Sequence, residues 1–144
     1  MTRVIIVADS GPSLANLTAA VASVPGAHIV RHGSIAGPLD RIIAPLAPDL
    51  VLIGDLLSPD TALARIAEVQ RAAPLAKIVV LSSTTEAGWL ADALRARAAA
   101  VLPGNLEPHT LGLVLREVLA PAVVMPLQRV AGPAAVEPQT EAAA

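Results

Sequence analysis

The chain has 144 residues, of which 54% are hydrophobic and 15% are charged, and its formal net charge is −2. This length corresponds to about one domain with its own core, and the charge excludes the basic surface typical of nucleic-acid binding. The absence of cysteine excludes disulfides and Cys-based metal sites and favours a reducing, cytoplasmic location. No apolar run approaches the length of a bilayer span.

Short apolar runs alternate with helical patterns along the first 120 residues. The central run, Leu50–Gly54, has no period-2 alternation, which predicts a strand buried on both faces of a parallel sheet. The other predicted strands are Val4–Ala8, Ala27–Val30, Lys77–Leu81 and Ala99–Leu102. The predicted helices are Ser13–Val24, Leu39–Ala44, Thr61–Ala73, Glu86–Arg97 and Asn105–Ala120. This alternation predicts a flavodoxin-like, doubly wound α/β fold with five parallel strands in the order 2-1-3-4-5 and helices on both faces.

Two turns carry signals for the start of a helix. Asp9 follows the first strand, and we expect its carboxylate to cap the first helix. Ser82–Glu86 combines a polar turn with a capping-box pattern before the fourth helix.

Residues 121–144 differ from the rest of the chain. They contain four prolines and end in an Ala-rich stretch, so we interpret 1–120 as the folded domain and 121–144 as a tail or linker. The tail also carries an apolar cluster that includes Val124, Met125 and Leu127. An extended apolar segment of this kind suits docking along another surface, so we expect 121–131 to dock on a partner or neighbouring subunit.

The residues up to Ala120 resemble the receiver domain of two-component response regulators, most of all the kind carried by LuxR/NarL-type regulators. The resemblance holds without a gap in the spacing of Asp9, Pro25, Pro48-Asp49, Pro74, Leu81-Ser82, Leu94-Arg95-Ala96 and Pro108. It implies the CheY-like form of the predicted fold.

Receivers use five groups at the carboxyl edge of the sheet: two acids that hold Mg²⁺, an acceptor aspartate, a hydroxyl and a lysine. The resemblance places Ala8-Asp9 at the acid pair, Gly54 at the acceptor, Ser82 at the hydroxyl and Gly104 at the lysine. Only Asp9 and Ser82 keep the expected chemistry. The resemblance therefore implies a degenerate phosphorylation site, a pseudo-receiver that is not an enzyme, and no metal or cofactor.

Asp55 offers an alternative acceptor, one residue further along. Consecutive strand residues point to opposite faces, and counting forward from Pro48 and backward from Pro74 leads to Gly54. We therefore expect Asp55 to be a turn carboxylate.

The resemblance also predicts a binding surface, because receivers commonly pair through the fourth helix, fifth strand and fifth helix. Leu113 lies beside the inward stripe of the last helix, and Trp89 either covers the end of the core or anchors an interface. We expect a homodimer or protein partner here, and no direct nucleic-acid binding by this domain. The three histidines are expected at the surface without a metal: His28, His32 and His109.

The expected function is a phosphorylation-independent protein-interaction or dimerisation module in bacterial signalling. Three alternatives stay open at this point. One is a receiver phosphorylated on Asp55, and another is an atypical receiver of a TadZ/CpaE-like pilus-localisation system. The third is a small flavin-binding protein, in which the Ser10–Ser13 turn would hold a phosphate.

Overall fold

Strands and helices alternate throughout the part of the chain that the structure describes. The structure is a computed structural model that describes residues 2–9, 11–33, 39–54, 59–82 and 86–120. The strands are β1 (Thr2–Val7), β2 (Ala27–Gly33), β3 (Leu50–Ile53), β4 (Lys77–Ser82) and β5 (Ala100–Pro103). The helices are α1 (Pro12–Ala22), α2 (Asp40–Ile43), α3 (Pro59–Ala72), α4 (Ala87–Arg95) and α5 (Pro108–Leu119), and a 3-10 turn, Ala44–Leu46, continues α2.

The five strands form one parallel sheet with the order β2-β1-β3-β4-β5. This confirms the predicted flavodoxin-like topology. All four residues of β3 are at most 1% exposed, as are Ile78–Leu81 of β4. Helices cover both faces of these strands, so their sequences are continuously apolar rather than alternating.

Side chains from alternate strand positions enter two separate cores. One core lies between the sheet and α2, α3 and α4, and contains Ile5, Val51 and Ile78. The other lies between the sheet and α1 and α5, and contains Val4, Leu50 and Val79. No polar or charged residue among those the structure describes is buried, so these cores are held together by apolar packing.

The edge strand β2 extends further than the sequence pattern predicted. It continues past Val30 through Arg31 and His32 to Gly33. Polar residues are tolerated there because one side of an edge strand is open to water. The pairing with β1 shifts within β2, since Val4 pairs with Ile29 and Ile5 with Arg31, leaving Val30 as a bulge.

Both capping expectations are wrong in detail. The N-cap of α1 is Gly11, whose φ of 143° suits glycine, so Asp9 does not occupy the cap position. The N-cap of α4 is Glu86 itself, and a capping box would need that residue three positions into the helix. Prolines begin α1, α3 and α5, where their missing N–H costs nothing.

The charges on four helices follow the helix dipole. Acidic residues stand at or beside the helix starts: Asp40, Asp60, Glu86 and Glu107. Arginines stand in the last turns: Arg41, Arg71, Arg95 and Arg116. Each arrangement stabilises the partial charge of the helix end. Since α3, α4 and α5 start at the carboxyl edge of the sheet, their acids lie toward that edge.

Candidate functional site

The carboxyl edge of the sheet brings together four of the residues predicted for the phosphorylation site. Ala8 follows β1, Gly54 follows β3, Ser82 ends β4 and Gly104 follows β5. Val7 pairs with Ile53, which makes the chain ends at Ala8 and Gly54 neighbours. The Gly104 N–H donates to the carbonyl oxygen of Ser82 over 3.2 Å. The strand register thus confirms that these positions share one edge.

Ala8 and Gly54 are in close contact at the centre of this edge. Both are buried, and the Gly54 N–H donates to the Val7 carbonyl oxygen over 2.8 Å. A Cβ atom added to Gly54 would lie 2.8 Å from the Cβ of Ala8 and 3.5 Å from the Val7 carbonyl oxygen. Carbon atoms that are not bonded pack at about 3.5–4.0 Å. An aspartate side chain at position 54 therefore does not fit unless the ends of β1 and β3 move apart.

The charged groups at the matched positions are reduced to one carboxylate, that of Asp9, which is exposed. Ser82 is half-buried and still brings a hydroxyl group to the edge. The position matched to the receiver lysine is Gly104, and the chain's single lysine, Lys77, begins β4 at the opposite edge of the sheet. Among the described residues, no group of three or more His, Asp or Glu side chains could hold a metal ion.

Several predicted site residues lie outside the described ranges. They are Asp55 and the three tail residues Val124, Met125 and Leu127. Their predicted roles stay predictions.

Trp89 belongs to the core, which is the first of the two roles predicted for it, and it is not exposed as an interface anchor would be. The side chain is 4% exposed and packs in the core between the sheet and α2, α3 and α4. It lies on α4 four positions before Ala93, which is also buried, so the two residues share the inward face of the helix. The indole Nε1–H is buried without a hydrogen-bond partner.

Exposed leucines flank β5 on both helices beside it. Leu113 on α5 is 47% exposed, as the sequence predicted for a surface position, and Leu94 on α4 is 54% exposed. Val101 and Leu102 of β5 are both half-buried. We call these four residues the α4–β5–α5 face. Leu94 was not predicted for this face from the sequence. The available signal was its position four residues after Leu90, just outside the inward stripe of α4.

The three histidines are exposed, as predicted: His28, His32 and His109. No helix in the described part of the chain is long and apolar enough to cross a membrane.

Several solved structures have a similar fold, whereas no protein-family model and no curated protein matches the sequence. A pilus assembly protein, CpaE, from Burkholderia thailandensis E264 is 25% identical with a TM-score of 0.68, over 82% of this chain and 98% of that one. The CpaE2 pilus assembly protein from Sinorhizobium meliloti 1021 is 14% identical with a TM-score of 0.67, over 81% and 98%.

The signal receiver domain of the response regulator NarL from Mycobacterium tuberculosis is 17% identical with a TM-score of 0.65. The match covers 82% of this chain and 95% of that one. These similarities agree with the strand order β2-β1-β3-β4-β5 and with the helices on both faces. The chain therefore has the fold of a response-regulator receiver domain.

Proposed function

We propose that this domain is a cytoplasmic pseudo-receiver that acts through protein–protein contacts without being phosphorylated. The observation that carries the proposal is the contact between Ala8 and Gly54, where a Cβ at position 54 would lie 2.8 Å from the Ala8 Cβ. The space that an acceptor aspartate would need is filled by the packing of two strand ends.

The chemistry of phosphoryl transfer supports the same proposal. Transfer requires a nucleophile, a Mg²⁺ ion held by hard oxygen ligands, and a cation that neutralises the developing charge. Ala8, Gly54 and Gly104 offer none of these groups at their positions. Asp9 and Ser82 alone would leave the transferring group without a nucleophile and without a counter-charge.

The α4–β5–α5 face supports an interaction role. Its leucines, Leu94 and Leu113, are 54% and 47% exposed, and β5 between them is the last strand of the sheet. Apolar side chains clustered at an open sheet edge form a surface that a protein partner can cover. We propose that a second copy of the chain or another protein binds there.

Treatment with acetyl phosphate and Mg²⁺, followed by intact-mass spectrometry, tests the loss of phosphorylation. We expect an unchanged mass, while a competent receiver treated in parallel gains one phosphoryl group. A phosphoryl group on this chain that disappears in the Asp55→Asn variant would overturn the proposal and establish Asp55 as the acceptor.

A second candidate function is a role in pilus assembly. It rests on the similarity to the CpaE structure, which is 25% identical over 82% of this chain. We propose that the pseudo-receiver serves pilus assembly if the organism carries such a system. A strain without the gene would then lose surface pili, as seen by electron microscopy, and regain them when the gene is restored. Normal piliation in the deletion strain would exclude this context.

A further inference from the structure

The two edge strands of the sheet differ in how they are protected against pairing with another chain. β2, at one edge, carries a bulge at Val30 and the exposed polar side chains of Arg31 and His32. β5, at the other edge, consists of Ala100–Pro103, pairs without a register shift and has no charged side chain. Bulges and charges on an edge strand prevent pairing with other molecules. Within the part of the chain that the structure describes, the edge at β5 therefore lacks the protection found at β2.

The backbone of β5 presents hydrogen-bonding groups to this open edge. The Ala99 N–H donates to the Ile78 carbonyl oxygen over 2.7 Å, so the amide of Ala99 faces β4. Because backbone groups along a strand point alternately to its two sides, Val101 also faces β4, whereas Ala100 and Leu102 direct their N–H and C=O groups outward. In the described sheet β5 is the last strand and pairs with β4 alone. The outward groups are thus open to a further strand.

Pro103 does not block this edge, although prolines commonly protect edge strands. By the same alternation its nitrogen faces β4, so the missing N–H is lost from the paired side and not from the open side. On the paired side the Gly104 N–H donates to the Ser82 carbonyl oxygen over 3.2 Å and takes its place. The outward row of groups at Ala100 and Leu102 is therefore complete.

The open groups of β5 are self-complementary in an antiparallel arrangement. If Val101 lies opposite Val101 of a second copy, Ala100 lies opposite Leu102 of that copy. Residues at such positions exchange both of their backbone hydrogen bonds, so every outward N–H meets an outward C=O. The exposed leucines, Leu94 on α4 and Leu113 on α5, lie on the helices that cover the two faces of the sheet. Each face would therefore bring an apolar side chain to the joined edge.

The charges at the two ends of β5 favour an antiparallel second copy over a parallel one. Arg97 is exposed and precedes β5 at the amino edge, where Arg95 and Asp92 pair over 2.6 Å and offset each other. Glu107 is exposed and follows β5 at the carboxyl edge, as the N-cap of α5. Antiparallel strands bring Arg97 of each copy toward Glu107 of the other, whereas parallel strands bring like charges together. This charge order fits a second copy of the same chain.

We propose that two copies of the chain join their β5 strands antiparallel about Val101, so that one continuous sheet runs through both. This rests on the proposed function, because it specifies how a second copy binds the α4–β5–α5 face. Backbone pairing determines the register, and the second copy covers Leu94 and Leu113. Since both copies use the same strand and β2 is protected, the assembly closes at the dimer.

Cysteine cross-linking tests the register, because the sequence has no cysteine of its own. Opposite residues that do not exchange hydrogen bonds have Cα atoms about 4.5 Å apart, within the range of about 4.4–6.8 Å that a disulfide spans. We expect Val101→Cys to form a disulfide-linked dimer with oxidised glutathione. Ala100→Cys should stay monomeric, because its equivalent in the second copy lies about 8 Å away. Equal cross-linking of the two variants, or none at Val101→Cys, would overturn the proposal.

Amide exchange tests the pairing in the chain without a substitution. In ¹H–¹⁵N spectra we expect exchange of the Ala100 and Leu102 amide hydrogens to slow at concentrations where sedimentation equilibrium shows association. The Val101 amide faces β4, so it is the internal control and stays protected at every concentration. Ala100→Pro removes an outward N–H at a position where edge strands tolerate proline. We expect this variant to associate less while its urea midpoint stays nearly unchanged.

These measurements separate the β5 pairing from the proposed function. A chain that associates while Ala100 and Leu102 exchange as fast as in the monomer would bind its second copy through helix side chains alone. That result would overturn the pairing and leave the proposed function standing. A chain that stays monomeric would also overturn the pairing. The loss of phosphorylation is tested independently, by the acetyl phosphate experiment.

Discussion

The side chain of Ser23, just after α1, fills the space beside the Cα of Gly112 on α5. Ser23 Oγ donates to the Ala20 carbonyl oxygen over 2.7 Å, which holds the hydroxyl in place. A Cβ at Gly112 would overlap that hydroxyl and would lie 3.2 Å from the Ala20 carbonyl oxygen. The glycine therefore sets how closely α5 approaches α1, and through it the packing of one core.

Gly112→Ala should lower the free energy of unfolding by about 1–3 kcal/mol, as overpacking of a close contact does. This is opposite to the effect of alanine on helix propensity, which favours it over glycine by about 1 kcal/mol. Gly88→Ala on α4 is the matched control, because a Cβ there meets no heavy atom within 4 Å. Urea denaturation should show a loss for the first variant and no loss for the second. Equal effects would contradict the steric role of Gly112.

Gly54→Asp should not restore phosphorylation. The added side chain starts 2.8 Å from the Ala8 Cβ, so we expect the variant to be destabilised rather than activated. Gly54→Ala isolates the steric part and should cost about 1–3 kcal/mol of unfolding free energy. Adding Ala8→Gly to Gly54→Ala should recover part of that loss, because it removes the atom in conflict. A Gly54→Asp protein that is stable and gains a phosphoryl group from acetyl phosphate would contradict the described packing.

Trp89 is the single aromatic residue of the chain, so its fluorescence reports its environment directly. Because the side chain is 4% exposed, we expect blue-shifted emission and weak quenching by acrylamide in the native protein. Trp89→Ala should cost about 3–5 kcal/mol of unfolding free energy through the cavity it leaves. Trp89→Phe should cost clearly less, since it also removes the buried indole N–H that has no partner. Strong quenching by acrylamide in the folded protein would show that Trp89 is exposed at the surface and contradict this prediction.

Leu113→Lys and Leu94→Lys should weaken association while leaving the urea midpoint nearly unchanged. Both side chains are about half exposed, so they would bury more apolar area in an interface with a partner than they bury in the core. Leu75→Lys, in the turn between α3 and β4 and outside this face, is the control that should leave self-association intact. Sedimentation equilibrium of the three variants measures the effect for a homodimer. Unchanged association in both α4–β5–α5 variants would remove this face as the dimer contact.

The fold could be predicted from the sequence because it depends on regular patterns. The buried run Leu50–Ile53 and the alternation of strands with helices predict a parallel sheet, and the handedness of βαβ units leaves few strand orders, among them the observed one. Helix starts were less predictable, since Gly11 and Glu86 act as N-caps while the sequence suggested Asp9 and a residue before Glu86. Propensity rules specify which residues suit a cap, but the path of the preceding loop decides which one occupies it.

The position of the candidate site could be predicted from the sequence, but the packing of its residues could be predicted only in part. The resemblance to receivers placed Ala8 and Gly54 at the same edge, whereas their close contact depends on a backbone separation that no residue pattern encodes. The environment of Trp89 could not be predicted from the sequence, because a lone large aromatic on a helix suits a core and an interface equally. The rotation of α4 about its axis determines that the side chain points into the core. The full exposure of Leu75 was not predicted, because it lies in the turn between α3 and β4, where no periodic pattern separates buried from exposed leucines.

The bulge at Val30 has a consequence for aggregation. Two strands border the sheet, and an unprotected border can add strands from other molecules. The irregular register of β2 interrupts the even ladder of hydrogen bonds that an incoming strand needs, and Arg31 and His32 add polar side chains beside it. Uncontrolled growth of the sheet is therefore discouraged on this side. Substitutions that straighten β2, such as deletion of Val30, should shorten the lag time of fibril formation under mildly destabilising conditions.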